Sequence, residues 1–188
     1  MSALNDSTLD TPIPYFGYGS NLWLEQMAER CPGSTFVGIA LPLDHSIDSV
    51  DVQTHVWGIA YSLTEPDEAI LDRKEGVPHN HTNEIHDIDF WPTDPENAEA
   101  IIDISAVPEK KPMLLYIDRE RMKDSKPREE YVYRMNMGIA DALKMGIPSS
   151  YVEKVMRTFI PERDGPVPAA VQALIQAQKQ TVVFRDNK

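Results

Sequence analysis

Two short runs carry the residues best suited to chemistry. The first is Phe16-Gly17-Tyr18-Gly19-Ser20-Asn21, where glycines alternate with aromatics before a Ser-Asn pair. Small and polar residues at the end of an apolar strand serve either a tight turn or a molecule lying against the backbone. Successive N–H groups at the start of a helix form a concavity that takes carboxylates as readily as phosphates. The Ser20 hydroxyl and the Asn21 amide add side-chain donors. An ordinary strand-to-helix turn capped by Asn21 explains the same residues taken alone. The second run is "ILDRKEGVP", residues 70–78. Glu75 stands at the negative end of a helix just before Gly76, where a carboxylate is disfavoured as an anion. Lined by apolar residues, such an acid exchanges protons near neutral pH. Bathed in water beside Arg73 and Lys74, it is a surface charge.

Other chemistries find less support. A dinucleotide fingerprint places its third glycine at position 22, which is Leu, and no βαβ alternation follows. A phosphate-binding loop needs Gly-Lys-Ser/Thr, which is absent. His79, His81 and His86 would have to converge with a carboxylate to hold a metal, and their Pro- and Asn-rich surroundings favour exposed histidines. Cys31 is the single cysteine, so neither an intrachain disulfide nor a Cys-rich metal site is available. Tyr116, Tyr131 and Tyr133 read as core or rim residues.

The elements that must position these residues follow from periodicity. Strands are expected at Ile13 to Tyr18, Thr35 to Leu41, His55 to Leu63, Glu84 to Trp91, Met113 to Ile117, and at Ile101 to Ile104. A helix runs from Leu22 to Arg30, capped by Asn21 and stopped by Cys31-Pro32-Gly33. Thr64-Glu65-Pro66-Asp67 opens a second helix that stops near Gly76. Val132, Met135, Ile139 and Leu143 form one face of a helix from Glu130 to Lys144. Ser150-Tyr-Val-Glu153 is a capping box for the next helix, Pro168 to Lys179 is the last helix, and Thr181 to Phe184 is a terminal strand. Strands first and helices later is an α+β order.

The 188 residues suit one domain, with residues 1–11 a disordered N-terminal tail and 12–188 the domain. Apolar residues make up 41% and charged residues 26%, enough for a packed core. The formal net charge of -12 repels phosphate backbones and anionic lipid, which argues against nucleic-acid and membrane partners. No secretory leader and no bilayer-length apolar run is visible, so a cytoplasmic protein is expected.

Taken in order, Tyr18-Gly19-Ser20-Asn21-Leu22, "VWGIAYSL" (56–63), Leu71-Asp72-Arg73-Lys74-Glu75-Gly76-Val77 and "YVYRMNMGIADALKMGIPSSYVEKVMRTFIP" resemble the γ-glutamylcyclotransferase family, its fungal branch most closely. The similarity spans Tyr15 to Pro161. It implies a small mixed β-barrel with flanking helices. It also implies a reaction in which the α-amine of a γ-glutamyl substrate attacks its own γ-carbonyl, releasing 5-oxoproline and an amine or amino acid. Such a reaction needs no enzyme nucleophile, metal or cofactor. By the family pattern Glu75 shuttles the proton and Tyr18, Gly19, Ser20, Asn21 and Leu22 hold the substrate; beside that pattern, Tyr116 and Tyr131 are expected at the pocket rim. The partner is then a small γ-glutamyl molecule, the protein a monomer or homodimer. Two departures from the pattern stand out. Only Pro42 to Thr54 fills an interval that usually carries two more strands, so the barrel is expected to lack one or two strands and to have an open side. His81 is the nearest match to a tyrosine that usually follows the Glu. A non-catalytic relative binding a γ-glutamyl ligand or a protein partner is the alternative that the short interval suggests.

Overall fold

The computed structural model describes residues 13–42, 56–97, 100–119, 126–163, 167 and 169–183. The expected tail and most of the short 42–54 interval lie outside these residues. Among the described residues five strands close into a barrel: β1 (Tyr15–Gly17), β2 (Thr35–Pro42), β3 (Gly58–Ser62), β4 (Thr82–Pro92) and β5 (Glu109–Ile117). Their order around the barrel is β1-β3-β2-β4-β5, antiparallel except where β1 meets β5, with Tyr15 opposite Leu114. The expected open side is therefore not there. β2 pairs along both edges, placing Ile39 between Ile59 of β3 and Trp91 of β4.

Closure sorts the strand residues by their period of two. Phe16, Ala40, Ala60, Ile88, Phe90, Met113, Leu115 and Ile117 face one another as a cluster built from strands alone, the barrel interior. Their neighbours Tyr15, Ile39, Ile59, Tyr61, Leu114 and Tyr116 point outward and pack with helix residues such as Met27, Leu71, Met135 and Ile139. The alternation in β1 and β5 thus turns Tyr15 and Tyr116 onto the outer wall.

The helices cover that wall. A 3-10 turn (Ser20–Leu22) leads into α1 (Leu24–Arg30). α2 (Glu65–Glu75) starts as its sequence predicts. The Thr64 hydroxyl accepts from the Asp67 N–H, Pro lies in the first turn, and Gly76 ends the helix in the left-handed region at φ 70°. α3 (Glu129–Met145) buries Val132, Met135 and Ile139, but Leu143 is exposed and the small Ala142 takes the inward place. α4 (Ser149–Tyr151), a π turn (Val152–Met156), α5 (Arg157–Phe159) and α6 (Ala169–Val183) complete the order. Among the described residues no helix is long and apolar enough to cross a membrane.

Four local expectations are corrected. Asn21 does not cap α1. Trp23 occupies the cap position without a side-chain bond, and Asp141 of α3 accepts from the Leu24 N–H at 3.0 Å instead. No Ser150–Glu153 capping box forms, because helical structure begins at Ser149 behind Pro148 and passes into the π turn. Ile101 to Ile104 is not a strand: β4 and β5 already pair with each other, and the Ile102 N–H bonds to the Met145 carbonyl at 3.0 Å. Thr181 to Val183 belong to α6 and not to a terminal strand, and Phe184 lies outside the described residues. Among the described residues the closed barrel offers no edge to pair with, and lengthening an existing helix costs little.

Candidate active site

The turn after β1 and the end of α2 meet on the outer wall of the barrel. Between them lies a cleft of about 260 Å3, lined by Tyr15, Tyr18, Gly19, Ser20, Asn21, Glu75, His81, Tyr116 and Tyr131. Seven of these nine are residues that the sequence singled out for the site. Leu22 is not among them: it is fully buried in the core, packed under α3. Its part in the motif is to anchor the turn.

The turn is held from below. The Leu22 N–H closes on the Gly19 carbonyl at 3.0 Å, and the N–H groups of Ser20 and Asn21 precede that first bond, as orphan donors at a helical start do. The Tyr61 hydroxyl, fully inside, donates to the Asn21 carbonyl at 2.7 Å. Gly138 lets α3 approach closely enough that a side chain there would meet the Leu22 Cβ at 2.8 Å. Asn21 itself is buried. Its Nδ2 donates to the Tyr15 hydroxyl at 2.8 Å and reaches Glu75 Oε1 at 3.5 Å. Its Oδ1 accepts from Gln26 Nε2 at 3.0 Å and Arg30 Nη1 at 2.9 Å.

Glu75 comes to the cleft from the other side. Its side chain is 22% exposed, so it faces the cleft and not bulk water. The backbone bends away directly after it through Gly76, and His81 folds back. The His81 Nδ1 lies 2.6 Å from the Glu75 carbonyl oxygen and 3.9 Å from the carboxylate Oε2. A carbonyl only accepts, so Nδ1 carries a proton in this contact. Asp72, one turn earlier on α2, accepts from the Tyr116 hydroxyl at 2.8 Å and ties the helix to β5. The Tyr18 hydroxyl donates to the Tyr116 carbonyl at 2.7 Å.

The electrostatics of the cleft suit an anion in a protein of net charge -12. Burial, and then the charge of Arg134, pull the Arg30 guanidinium below its ordinary value, while Glu75 opposes them. Burial, and then the charge of Glu75, push the Tyr15 phenol far above its usual range, so it stays a hydroxyl donor. Burial and the bond to Asp72 do the same to Tyr116, and burial raises Tyr131. The cleft therefore presents neutral phenols, orphan N–H groups, two nearby guanidiniums and one carboxylate. Among the described residues no group of three His, Cys, Asp or Glu side chains is placed to hold a metal ion.

Sequence reasoning missed Tyr15, Gln26, Arg30 and Arg134. Tyr15 was legible in principle, because outward strand residues alternate with inward Phe16. The other three carried no signal, since charged and amide residues on helices read as solvated faces.

No protein-family model and no curated protein matches the chain. Solved structures do. One described as a gamma-glutamyl cyclotransferase superimposes with a TM-score of 0.58 at 19% identity, covering 88% of this chain and 98% of its own. An uncharacterized protein from Homo sapiens, loc79017, gives 0.59 at 21% identity, covering 89% and 99%. YkqA from Bacillus subtilis gives 0.53 at 15% identity, covering 82% of this chain and 56% of its own. The chain has the γ-glutamylcyclotransferase-like fold.

Proposed function

We propose that the protein is a γ-glutamylcyclotransferase that releases 5-oxoproline and a free amine or amino acid from a small γ-glutamyl substrate. The observation that supports this most directly is the meeting of Glu75 with the Ser20-Asn21 turn in one cleft, 3.5 Å between Oε1 and the Asn21 amide. The orphan N–H groups of the turn hold the substrate's carboxylate, and Tyr18, Tyr116 and Tyr131 bound the glutamyl chain. The substrate's α-amine is mostly protonated at neutral pH and cannot attack until it loses that proton. Glu75 takes the proton, the amine nitrogen forms its bond to the γ-carbonyl carbon, and donors in the cleft steady the oxyanion. The proton first taken passes on to water. The attacking nitrogen, which still carries two hydrogens once bonded, gives one to Glu75, and collapse breaks the bond to the departing nitrogen, which receives that proton from Glu75. Ring closure is intramolecular, so holding the chain folded lowers the barrier further.

The test is 5-oxoproline release by purified protein from a panel of γ-glutamyl amino acids, dipeptides and amines. Glu75→Gln is expected to fold as the parent does and to lose activity by roughly a hundredfold or more, the usual scale for removing an acid–base group. Equal activity in that variant refutes the mechanism. Thermal stabilisation by the panel without product points to a non-catalytic binder instead.

A further inference from the structure

Behind the cleft lies a polar chain whose order is dictated by groups that can only donate. Arg134 of α3 is 13% exposed and pairs with Glu130, Nη2 to Oε1 at 2.8 Å. Its Nη1 reaches Gln26 at 3.2 Å and Ser20 Oγ at 3.4 Å, and its Cζ lies 5.7 Å from the centre of the Tyr131 ring. A guanidinium has no acceptor, so Gln26 must turn its Oε1 towards Arg134. The Gln26 Nε2 is then committed to the other side, where it donates to the Ser20 carbonyl at 2.8 Å, to Ser20 Oγ at 3.2 Å and to Asn21 Oδ1 at 3.0 Å. Arg30, again only a donor, bonds the same Asn21 Oδ1 at 2.9 Å. Two donors on Oδ1 leave one orientation for the Asn21 amide, with its NH2 towards the Tyr15 hydroxyl and Glu75.

We propose that Arg30 and Arg134 are positioning residues for catalysis: Arg30 directly, and Arg134 through Gln26, lock the Asn21 amide so that its NH2 faces Glu75 and the Tyr15 hydroxyl. Without them the amide can turn over and present a carbonyl oxygen to the carboxylate, which replaces an attraction with a repulsion. With the Tyr15 oxygen accepting from Asn21, the Tyr15 proton is left for the cleft. Packing does not account for the arrangement. Among the described residues Arg134 Nε is buried without an acceptor, a cost an apolar residue would avoid.

The inference rests on the proposed cyclotransferase reaction for its kinetic consequence, but the amide orientation can be read separately. Arg30→Met removes one donor to Oδ1, Arg30→Lys restores one, and Gln26→Met removes the other. Each variant is checked by thermal unfolding, assayed on the γ-glutamyl panel, and observed by NMR exchange of the Asn21 side-chain amide protons. In Arg30→Met and Gln26→Met we expect kcat to fall by about tenfold or more with KM changing far less, because the lock acts on the proton-transferring group. The Asn21 amide protons are expected to exchange about tenfold faster in the same two variants, with Arg30→Lys close to the parent in both. Unchanged amide exchange in folded Arg30→Met and Gln26→Met overturns the inference. So does unchanged kcat in an active protein. If Arg30→Met fails to fold, Gln26→Met carries the test by the same two criteria. A parent without 5-oxoproline release refutes the proposed function alone, and the exchange data then decide the orientation by themselves.

Discussion

At the scale of single residues, the polar side chains behind the cleft fix one another's direction. Tyr61 shows this most simply. It is 2% exposed, and its hydroxyl is the donor that holds the Asn21 carbonyl at 2.7 Å beneath the turn. Tyr61→Phe keeps the ring and leaves that carbonyl buried without the donor. We expect a loss of about 1–3 kcal/mol in unfolding free energy, measured by urea titration, and a raised KM for γ-glutamyl substrates. Unchanged stability would mean that the carbonyl finds another donor. The same logic separates the residues that were legible from those that were not. Glu75, Ser20 and Asn21 carry chemistry in their side chains and sit beside glycines, so they stand out in the chain. Arg30, Gln26 and Arg134 sit on helices where such residues usually face water. Only the folded neighbourhood turns them inward.

At the scale of elements, two contacts hold neighbouring elements together. The first is α3 against the 3-10 turn through Gly138, where an added Cβ would lie 2.8 Å from the Leu22 Cβ and 3.0 Å from the Trp23 nitrogen. Both atoms are in the packed core, so the helix must move away. Gly138→Val is expected to cost about 1–3 kcal/mol as overpacking and to lower activity by displacing the turn, measured as a fall in both Tm and kcat/KM. The second contact is a polar cluster on β4. Glu84 accepts from Arg119 at 2.7 and 2.8 Å and meets His86 at 3.0 Å and Thr82 at 2.8 Å. The Arg119 bonds, against some opposing desolvation and helped by His86 and Thr82, hold its carboxyl at about 2, below the ordinary 4.5. A lowered folded value means that the folded state favours the ionised form. The contribution is therefore present above pH 4.5 and is lost as the pH falls towards 2. The Tm difference between the parent and Glu84→Gln should be steady above that range and close within it. Being near the surface, the cluster contributes modestly and is screened by salt. A gap that stays constant to pH 2 would show that Glu84 is not held in the ionised form.

At the scale of the whole molecule, closure of the barrel creates the cleft. Five strands leave no free edge among the described residues, and the alternation in β1 and β5 sends Phe16 and Leu115 inward and Tyr15 and Tyr116 outward. The candidate cleft is thus an outer-wall feature between barrel and helices, and the barrel interior stays packed with apolar side chains. The net charge of -12 also acts on the whole fold. Self-repulsion opposes compaction, so raising salt from about 10 to about 300 mM should raise Tm by screening it. A fall in Tm would show that attractive pairs such as Arg119–Glu84 outweigh the repulsion.

The chain by itself determined the kind of element at most positions, because hydrophobic period, Thr64 capping, Pro66 and Gly76 are local signals that need no partner. It also determined the two chemical runs, since glycines beside polar residues and an acid before a helix stop are visible in one dimension. Tertiary structure decided what those signals could not reach. It closed the barrel through β2, whose two edges are equivalent until β3 and β4 arrive. It denied Thr181 to Val183 a strand partner and kept them helical, and it replaced an Asn21 cap with Asp141 from a distant helix. It also brought Arg30 and Arg134 behind the turn. The physical reason is common to all four. Pairing, burial and hydrogen-bond direction depend on which groups meet across the fold, and residues more than a hundred positions apart in the chain meet only once it has folded.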